Sequence, residues 1–352
     1  MSAEAVSAGL AGYRRSVLRR TALCAVLLLA GLLAVVADLA IGSGTLAWRD
    51  VVAALLHPAA ADPVAATIVW NVRMPVTLTA ALAGVGLAVS GSLMQTVLHN
   101  PLAEPFTLGI SAAAAFGAAL AIVFQVSLAG LLPTDLSIAA NAFLFSLLCV
   151  GFVALASGRR GLRTETVTLL GIAIHFVFSA LLATVQYAAD ANQLQGLVFW
   201  MLGSLLRTSW TKLGVNAGIL LLLLPVLLLN AWSMTAVRAF GDGAAVMGVR
   251  VARLRLLLLL SAALLAGGIT ATIGIVGFVG LVAPHAARLL VGEDQRFALP
   301  VAAALGLVVM TAASLVSKLV IPGVVLPIGM VTALLGLPFF IAQVLRQDAR
   351  QP

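Results

Sequence analysis

The chain has 352 residues, 62% of them hydrophobic and only 9% charged, where an average soluble domain carries roughly 25% charged residues. That balance excludes an ordinary water-soluble domain and points to a chain that lives in lipid. A net charge of +8 would suggest nucleic acid in a soluble protein, but here the placement of the charges is better explained by membrane topology, and no nucleic-acid partner is expected.

Lipid admits only helices and closed barrels, because every backbone polar group must be satisfied internally. Barrel strands alternate, whereas runs such as LLLLPVLLLNAW, Leu221 to Trp232, are continuously apolar and read as helix. At about 20 apolar residues per span, the chain divides into ten predicted helices. They lie near 19–40, 76–98, 106–125, 136–157, 165–187, 213–232, 254–273, 274–290, 298–316 and 326–345. A cleaved export signal at Arg14-Arg15 competes with the first of these, but the apolar stretch has the length of a span, so an uncleaved first helix is expected after a cytoplasmic segment, 1–18. The pair from 254 to 290 is separated only by Gly267-Gly268 and Gly274, and nine spans would be the alternative. Glycines at Gly274, Gly277 and Gly280 suit a helix that another approaches closely. The chain is expected to be one transmembrane domain, 1–352.

Charge supports ten spans over nine. With the N-terminus inside, the inner face receives Arg14, Arg15, Arg19, Arg20, Arg159, Arg160, Arg163, Arg238, Arg250, Arg253, Arg255, Arg288, Arg296, Arg346 and Arg350, which is 15 of the 20 Lys and Arg residues. The outer face keeps Arg49, Arg73, Arg207, Lys212 and Lys318. This is the asymmetry of the positive-inside rule, and removing one central span would spoil it. It places both termini in the cytoplasm.

No catalytic pattern appears. Cys24 and Cys149 lie inside apolar segments and indicate neither a disulfide nor a metal site. His57, His99, His175 and His285 are scattered, without an H-E-x-x-H pattern or a carboxylate pair inside a span, so no metal site is expected. There is no phosphate-binding G-x-x-x-x-G-K-[ST] loop, so ATP must be handled by a partner. Asp38 and Glu104 are expected near membrane interfaces. The near absence of ionisable residues in mid-membrane disfavours ion coupling.

The segment Ala236 to Arg255 is the most polar inner loop, and Gly241, Gly243 and Gly248 punctuate what should be two short helices joined by a turn. A solvated basic loop is the bland reading; a surface for a soluble partner is the functional one.

Six blocks of the sequence carry a resemblance. They are VRMP at 72–75, SGSLMQTVLHNPLAEPFTLGIS at 90–111, WMLGSLLRTSW at 200–210, AFGDGAAVMGV at 239–249, GFVGLVAPHAARLLVG at 277–292 and LPIGMVTALLGLPFF at 326–340. In this order, and over nearly the full length, the chain resembles the FecCD-type permeases of bacterial ABC importers for iron-siderophore, haem and vitamin B12. The resemblance implies an all-α fold of about ten spans like the vitamin B12 permease. It also implies a dimer, of identical or related subunits, enclosing the path. Two ATPase subunits would sit inside, holding ATP and Mg, and a periplasmic or lipoprotein binding protein outside. No cofactor is expected on this chain, and its cargo would be a metal chelate or corrinoid.

It further implies that residues 236–251 are the coupling helices that receive the ATPase. Phe240, Met247 and Val249 would be apolar anchors, Gly241, Gly243, Ala244, Ala245 and Gly248 would allow close approach, and Arg238 and Asp242 would pair across the rim. Gly277, Gly280, Pro284, His285 and Arg288 read as structural and interfacial. The NPLAEP stretch, Asn100 to Pro105 with Asn100 and Pro101 at its start, reads as a rigid inside turn, and Gly109 beyond it reads as structural. Arg73 and Lys318 are expected to seat the binding protein. The sequence departs from the family pattern at Val76, Lys318 and Val325, all three on the expected outer face. The rivals are a permease for a bare metal ion, which should show clustered ligands in its spans, and a proton-coupled secondary transporter.

Overall fold

The computed structural model describes residues 3–42, 46–58, 61–126, 132–158 and 164–348, and these are almost entirely helical. The helices are α1 (Ala3–Ala40), α2 (Trp48–Leu56), α3 (Pro63–Ile68), α4 (Met74–Val97), α5 (Ile110–Val123), α6 (Thr134–Gly158) and α7 (Thr164–Ala188). They continue with α8 (Ala191–Met201), α9 (Trp210–Leu229), α10 (Ala231–Phe240), α11 (Val251–Ile273), α12 (Val279–Val291), α13 (Gln295–Leu319) and α14 (Ile328–Asp348). Each of the ten expected spans has its helix: α1, α4, α5, α6, α7, α9, α11, α12, α13 and α14. Among the described residues seven helical stretches are long and apolar enough to cross a bilayer, while α5, α12 and the apolar part of α14 are shorter. Arg159, Arg160, Arg163 and Arg350, which enter the charge asymmetry, lie outside the described residues.

The short helices α2, α3 and α8 were not expected, because none reaches the length of a span. Two of them carry local start signals. Asp62 caps α3 by accepting from the Ala65 N–H at 2.9 Å, with Pro63 at the first helical position. Asp190 and Gln193 form a reciprocal capping box at the start of α8. Residues 69–73 form one π-turn that joins α3 to α4 without a break.

The bundle is built around α4 and α11, whose side chains are buried along most of their length. Small residues bring α4 against its neighbours. Gly84 faces the backbone of Gly306 on α13, and Gly91 faces that of Gly280 on α12, so a Cβ at Gly84 or Gly91 would run into a carbonyl. Without a hydrophobic drive in lipid, such close crossings are how packing energy is gained. By contrast α7 and α9 leave broad apolar faces exposed.

Two expectations need correction. The span expected at 274–290 is a helix only from Val279, about 20 Å long at 1.5 Å per residue, well short of the roughly 30 Å hydrocarbon core. Residues 274–278 are irregular, with φ of 85° at Gly274 and 69° at Phe278. Of the three glycines in this stretch, Gly274 lies against the Trp200 carbonyl and Gly280 against α4, whereas Gly277 faces open space and brings no helix close. Likewise, residues 98–104 are not simply a turn at the membrane surface. Asn100 makes a local turn, accepting from the Leu102 N–H at 2.9 Å. The chain then extends through Glu104 into a 3-10 turn, Pro105–Leu108, and Gly109, whose φ of 82° and closeness to the His175 backbone demand glycine.

These two irregular stretches meet. The Glu104 carboxylate lies beside the Phe278 N–H, and Pro105 packs on Gly280 at the level of Leu87 and Gly91, past the middle of α4. Glu104 therefore sits deep in the bundle at the N-terminus of α12, not at an interface. Non-helical backbone at this depth persists only where protein covers it.

Candidate functional site

The segment expected to form two short helices does so, with shifted bounds. Asn230 ends α9 and starts α10, five residues after the in-helix Pro225, so the polar element begins at Ala231 and not at Ala236. The second piece is a 3-10 stretch, Gly241–Met247. Gly241 and Gly248 bound it with φ of 56° and 84°. No atom crowds either position, so the backbone conformation is what calls for glycine there.

Ala231, Met234, Ala236 and Val237 form the buried face of α10. On the opposite side Phe240 and Met247 are exposed, at 62% and 47%, and Val246 stands out at 93%. Ala245 and Gly248 are exposed as well. Val249, expected as an anchor, is instead buried in the core beside Ala244, and Val246 takes its place. Alternation within a tight 3-10 turn decides which side chains face out, and the residue types alone do not show it.

Beneath this apolar surface lies a polar network. The Arg238 guanidinium pairs with Glu293 at 3.0 Å and donates to the Gln95 carbonyl at the end of α4, 2.8 Å away. Arg288 of α12 reaches the same Glu293 at 3.6 Å. The Gln295 N–H donates to Thr235 of α10 at 2.9 Å, and the Ser92 hydroxyl of α4 donates to Gln295 at 3.2 Å. Asp294 caps α13 and binds Arg296 at 2.7 Å, and that guanidinium holds its carboxyl below the ordinary value. Asp242 pairs with Arg255 of α11 at 2.7 Å. Arg238 is thus covered and spent within the chain, whereas Asp242 stays exposed while pairing with Arg255 of its own chain. Glu293, Gln95, Thr235 and Arg255 were not foreseen, since Arg238 and Glu293 are 55 residues apart in sequence. The acidic pair in VGEDQR, on a strongly basic face, was the available signal. Pro284 lies within α12, and His285 is half-buried one turn before Arg288.

At the other end of the bundle, Arg73 and Lys318 are corrected. Lys318 forms an ion pair of 2.8 Å with Asp38, and the two side chains are 8% and 0% exposed. Thr77 donates to the same carboxylate at 2.6 Å. Arg73 donates to the carbonyls of Leu39 and Ala40, at 3.3 and 2.8 Å, where α1 ends. A cation at a helix C-terminus meets the negative end of its dipole and otherwise unpaired carbonyls. Both residues are used inside the chain and offer no free charge to a partner. Val76 is buried too, and Val325 is half-buried, so these departures change packing more than surface charge.

The blocks that carry the resemblance thus line the crossings, the irregular stretches and the exposed apolar element of one helical bundle. The FecCD transport family profile matches residues 26–346. The chain belongs to the FecCD transport family. It is 36% identical to the hemin transport system permease protein of Yersinia pestis over 280 residues, covering 79% of this chain and 84% of that protein. With the vitamin B12 import system permease protein of Vibrio cholerae it shares 33% identity over 282 residues, 79% of this chain and 83% of the relative. A solved structure described as an inward-facing metal-chelate type ABC transporter superposes with a TM-score of 0.80 at 30% identity, covering 92% of this chain and 98% of that one. This FecCD protein is therefore an ABC importer permease, a transport subunit whose ATPase is a separate chain.

Proposed function

We propose that this permease carries a metal chelate, such as haem or an iron-siderophore, or a corrinoid, inward across the bacterial cytoplasmic membrane. Both termini face the cytoplasm. A second permease subunit, identical or related, completes the path, two ATPase subunits dock on the element from α10 to Gly248, and a binding protein delivers cargo at the opposite end. The observation that carries this reading is the exposed trio Phe240, Val246 and Met247 on the basic end of the bundle, seated over the network that reaches α4, α12 and α13. Exposed apolar side chains rimmed by polar residues mark a protein interface, and truncating a buried anchor at such an interface costs about 2 kcal/mol or more. Nucleotide-driven movement of the ATPases would shift the paired permeases between two packings, giving alternating access.

The test is Val246→Asp and Met247→Asp in the reconstituted transporter, read as co-purification of the ATPase, stimulated ATP hydrolysis and uptake. Both variants should lose the ATPase or its coupling while the permease inserts normally. Wild-type values for all three readouts would place the coupling surface elsewhere. Glu104 addresses the proton-coupled rival, because its carboxylate lies deep in the bundle. If it only anchors α12, Glu104→Gln keeps uptake dependent on ATP; uptake that needs a proton gradient and loses it in this variant would favour the rival.

A further inference from the structure

At the end of the bundle opposite α10, a cavity of about 410 Å³ opens among α5, α6, α8, α9 and α11. Its charged lining is Arg207, Lys212 and Asp135. The Lys212 ammonium donates to the Arg207 backbone carbonyl at 2.9 Å, and it also feels the Arg207 charge through space. The Arg207 guanidinium donates to no acceptor among the described residues and feels Asp135 only through space. Asp135 is exposed at the rim, leaving an excess of one positive charge.

A second cavity of about 200 Å³ adjoins the first and shares Lys212, Ala271 and Thr272 with it. It is a cleft between α6 and α9 with α11 as its floor, walled by Leu136, Phe143, Val215 and Ile219. From Lys212 to Ile219 it descends roughly 10 Å along α9 at 1.5 Å per residue. It opens sideways where Leu132, just before α6, and Val215 on α9 are exposed. The cleft is therefore polar and cationic at its mouth, apolar below, and directed from the bundle end toward the membrane interior.

We propose that the two cavities form one site for an anionic phospholipid, with its phosphate at Arg207 and Lys212 and one acyl chain in the cleft between α6 and α9. Basic pockets between spans bind lipid headgroups by charge, and an arginine with a lysine suits a phosphate better than either alone. A free anion would fill the mouth but leave the cleft without an occupant. The site is separate from the coupling element and does not depend on the identity of the cargo.

The experiment measures binding of phosphatidylglycerol and of phosphatidylcholine with the same acyl chains to the purified full-length permease, by native mass spectrometry and by thermal shift. Phosphatidylglycerol should bind roughly tenfold more tightly. Arg207→Gln with Lys212→Gln should abolish that preference, and Ala140→Trp, at a lining residue on the α6 wall of the cleft, should weaken both lipids. Inorganic phosphate should not compete. Equal binding of the two lipids, or an unchanged preference in the double variant, overturns the proposal. Full competition by phosphate would show a free-anion site instead. A disulfide between two copies through Ala140→Cys would show that a second copy covers the cleft. Should the double variant fail to fold, Ala140→Trp and the phosphate competition still decide.

Discussion

The two ends of the bundle handle charge in opposite ways. Where α1, α4 and α13 converge, Asp38 and Lys318 are both sealed from solvent, and Arg73 is spent on backbone carbonyls. Under α10, by contrast, Arg238 and Arg288 are covered while the carboxylate they share, Glu293, remains 56% exposed. A pair buried on both sides has one low-energy arrangement, because separating it strands two charges in a medium of low dielectric. A carboxylate in contact with water can change partners at little cost. The first cluster suits a fixed joint, and the second suits a linkage that moves with a docked partner.

The largest effect should come from breaking the sealed pair. Asp38→Ala leaves Lys318 buried and unpaired and should lower the stability of the purified permease by about 3–5 kcal/mol, read as a fall in melting temperature and yield. Asp38→Leu combined with Lys318→Met should recover most of that loss, since apolar replacement of a buried ion pair is often neutral. A double variant as unstable as the single one would mean that the pair does more than satisfy itself.

Glu293→Ala should act differently. It severs Arg238 and Arg288 together, yet Glu293 is half in water and Arg238 keeps the Gln95 carbonyl, so the stability change should be about 1–3 kcal/mol, smaller than for Asp38→Ala. Uptake should fall at least several-fold while the ATPase still co-purifies, because the link from α10 to α12 is lost and the exposed apolar trio is not. Equal losses of stability and transport would make Glu293 a structural residue like Asp38.

The smallest effect concerns the cap of α13. Asp294→Ala should cost about 1 kcal/mol. The Asp294 carboxyl is held below its ordinary value by Arg296, so its contribution is present above about pH 4, the unfolded carboxylate range. It disappears as the pH falls through the lowered value. The gap in melting temperature between wild type and Asp294→Ala should therefore be constant near neutrality and close in acid. A gap independent of pH down to strong acid would show that the charge on Asp294 is irrelevant.

Much of the fold was legible because a span is a local property: twenty or so apolar residues announce themselves whatever the rest of the chain does. The ten helices and the polar element near 236–251 were found that way. The boundary at Gly274 was found from its glycine, but the irregular run through Phe278 was not, since Val276 and Phe278 are as apolar as the helices around them. Arg73 and Lys318 resemble surface charges because they stand at span ends; the partner of Lys318 lies 280 residues away. Val246, between Ala245 and Met247, gave no sign that it would be the most exposed side chain of its turn.

Composition, hydrophobic runs and arginine placement by themselves determined a multi-span helical membrane protein with a basic end and a polar element near 236–251, because lipid rewards these features residue by residue. Tertiary structure decided which charges are spent inside the chain, where α5 and α12 begin, and which face of the 3-10 turn looks outward. Those outcomes depend on what another helix places opposite each residue: Gly280 against Gly91, Glu104 against the Phe278 N–H, Asp38 against Lys318. Hydrogen bonds and ion pairs act over a few ångströms in space, and the packing of the bundle sets which residues come that close.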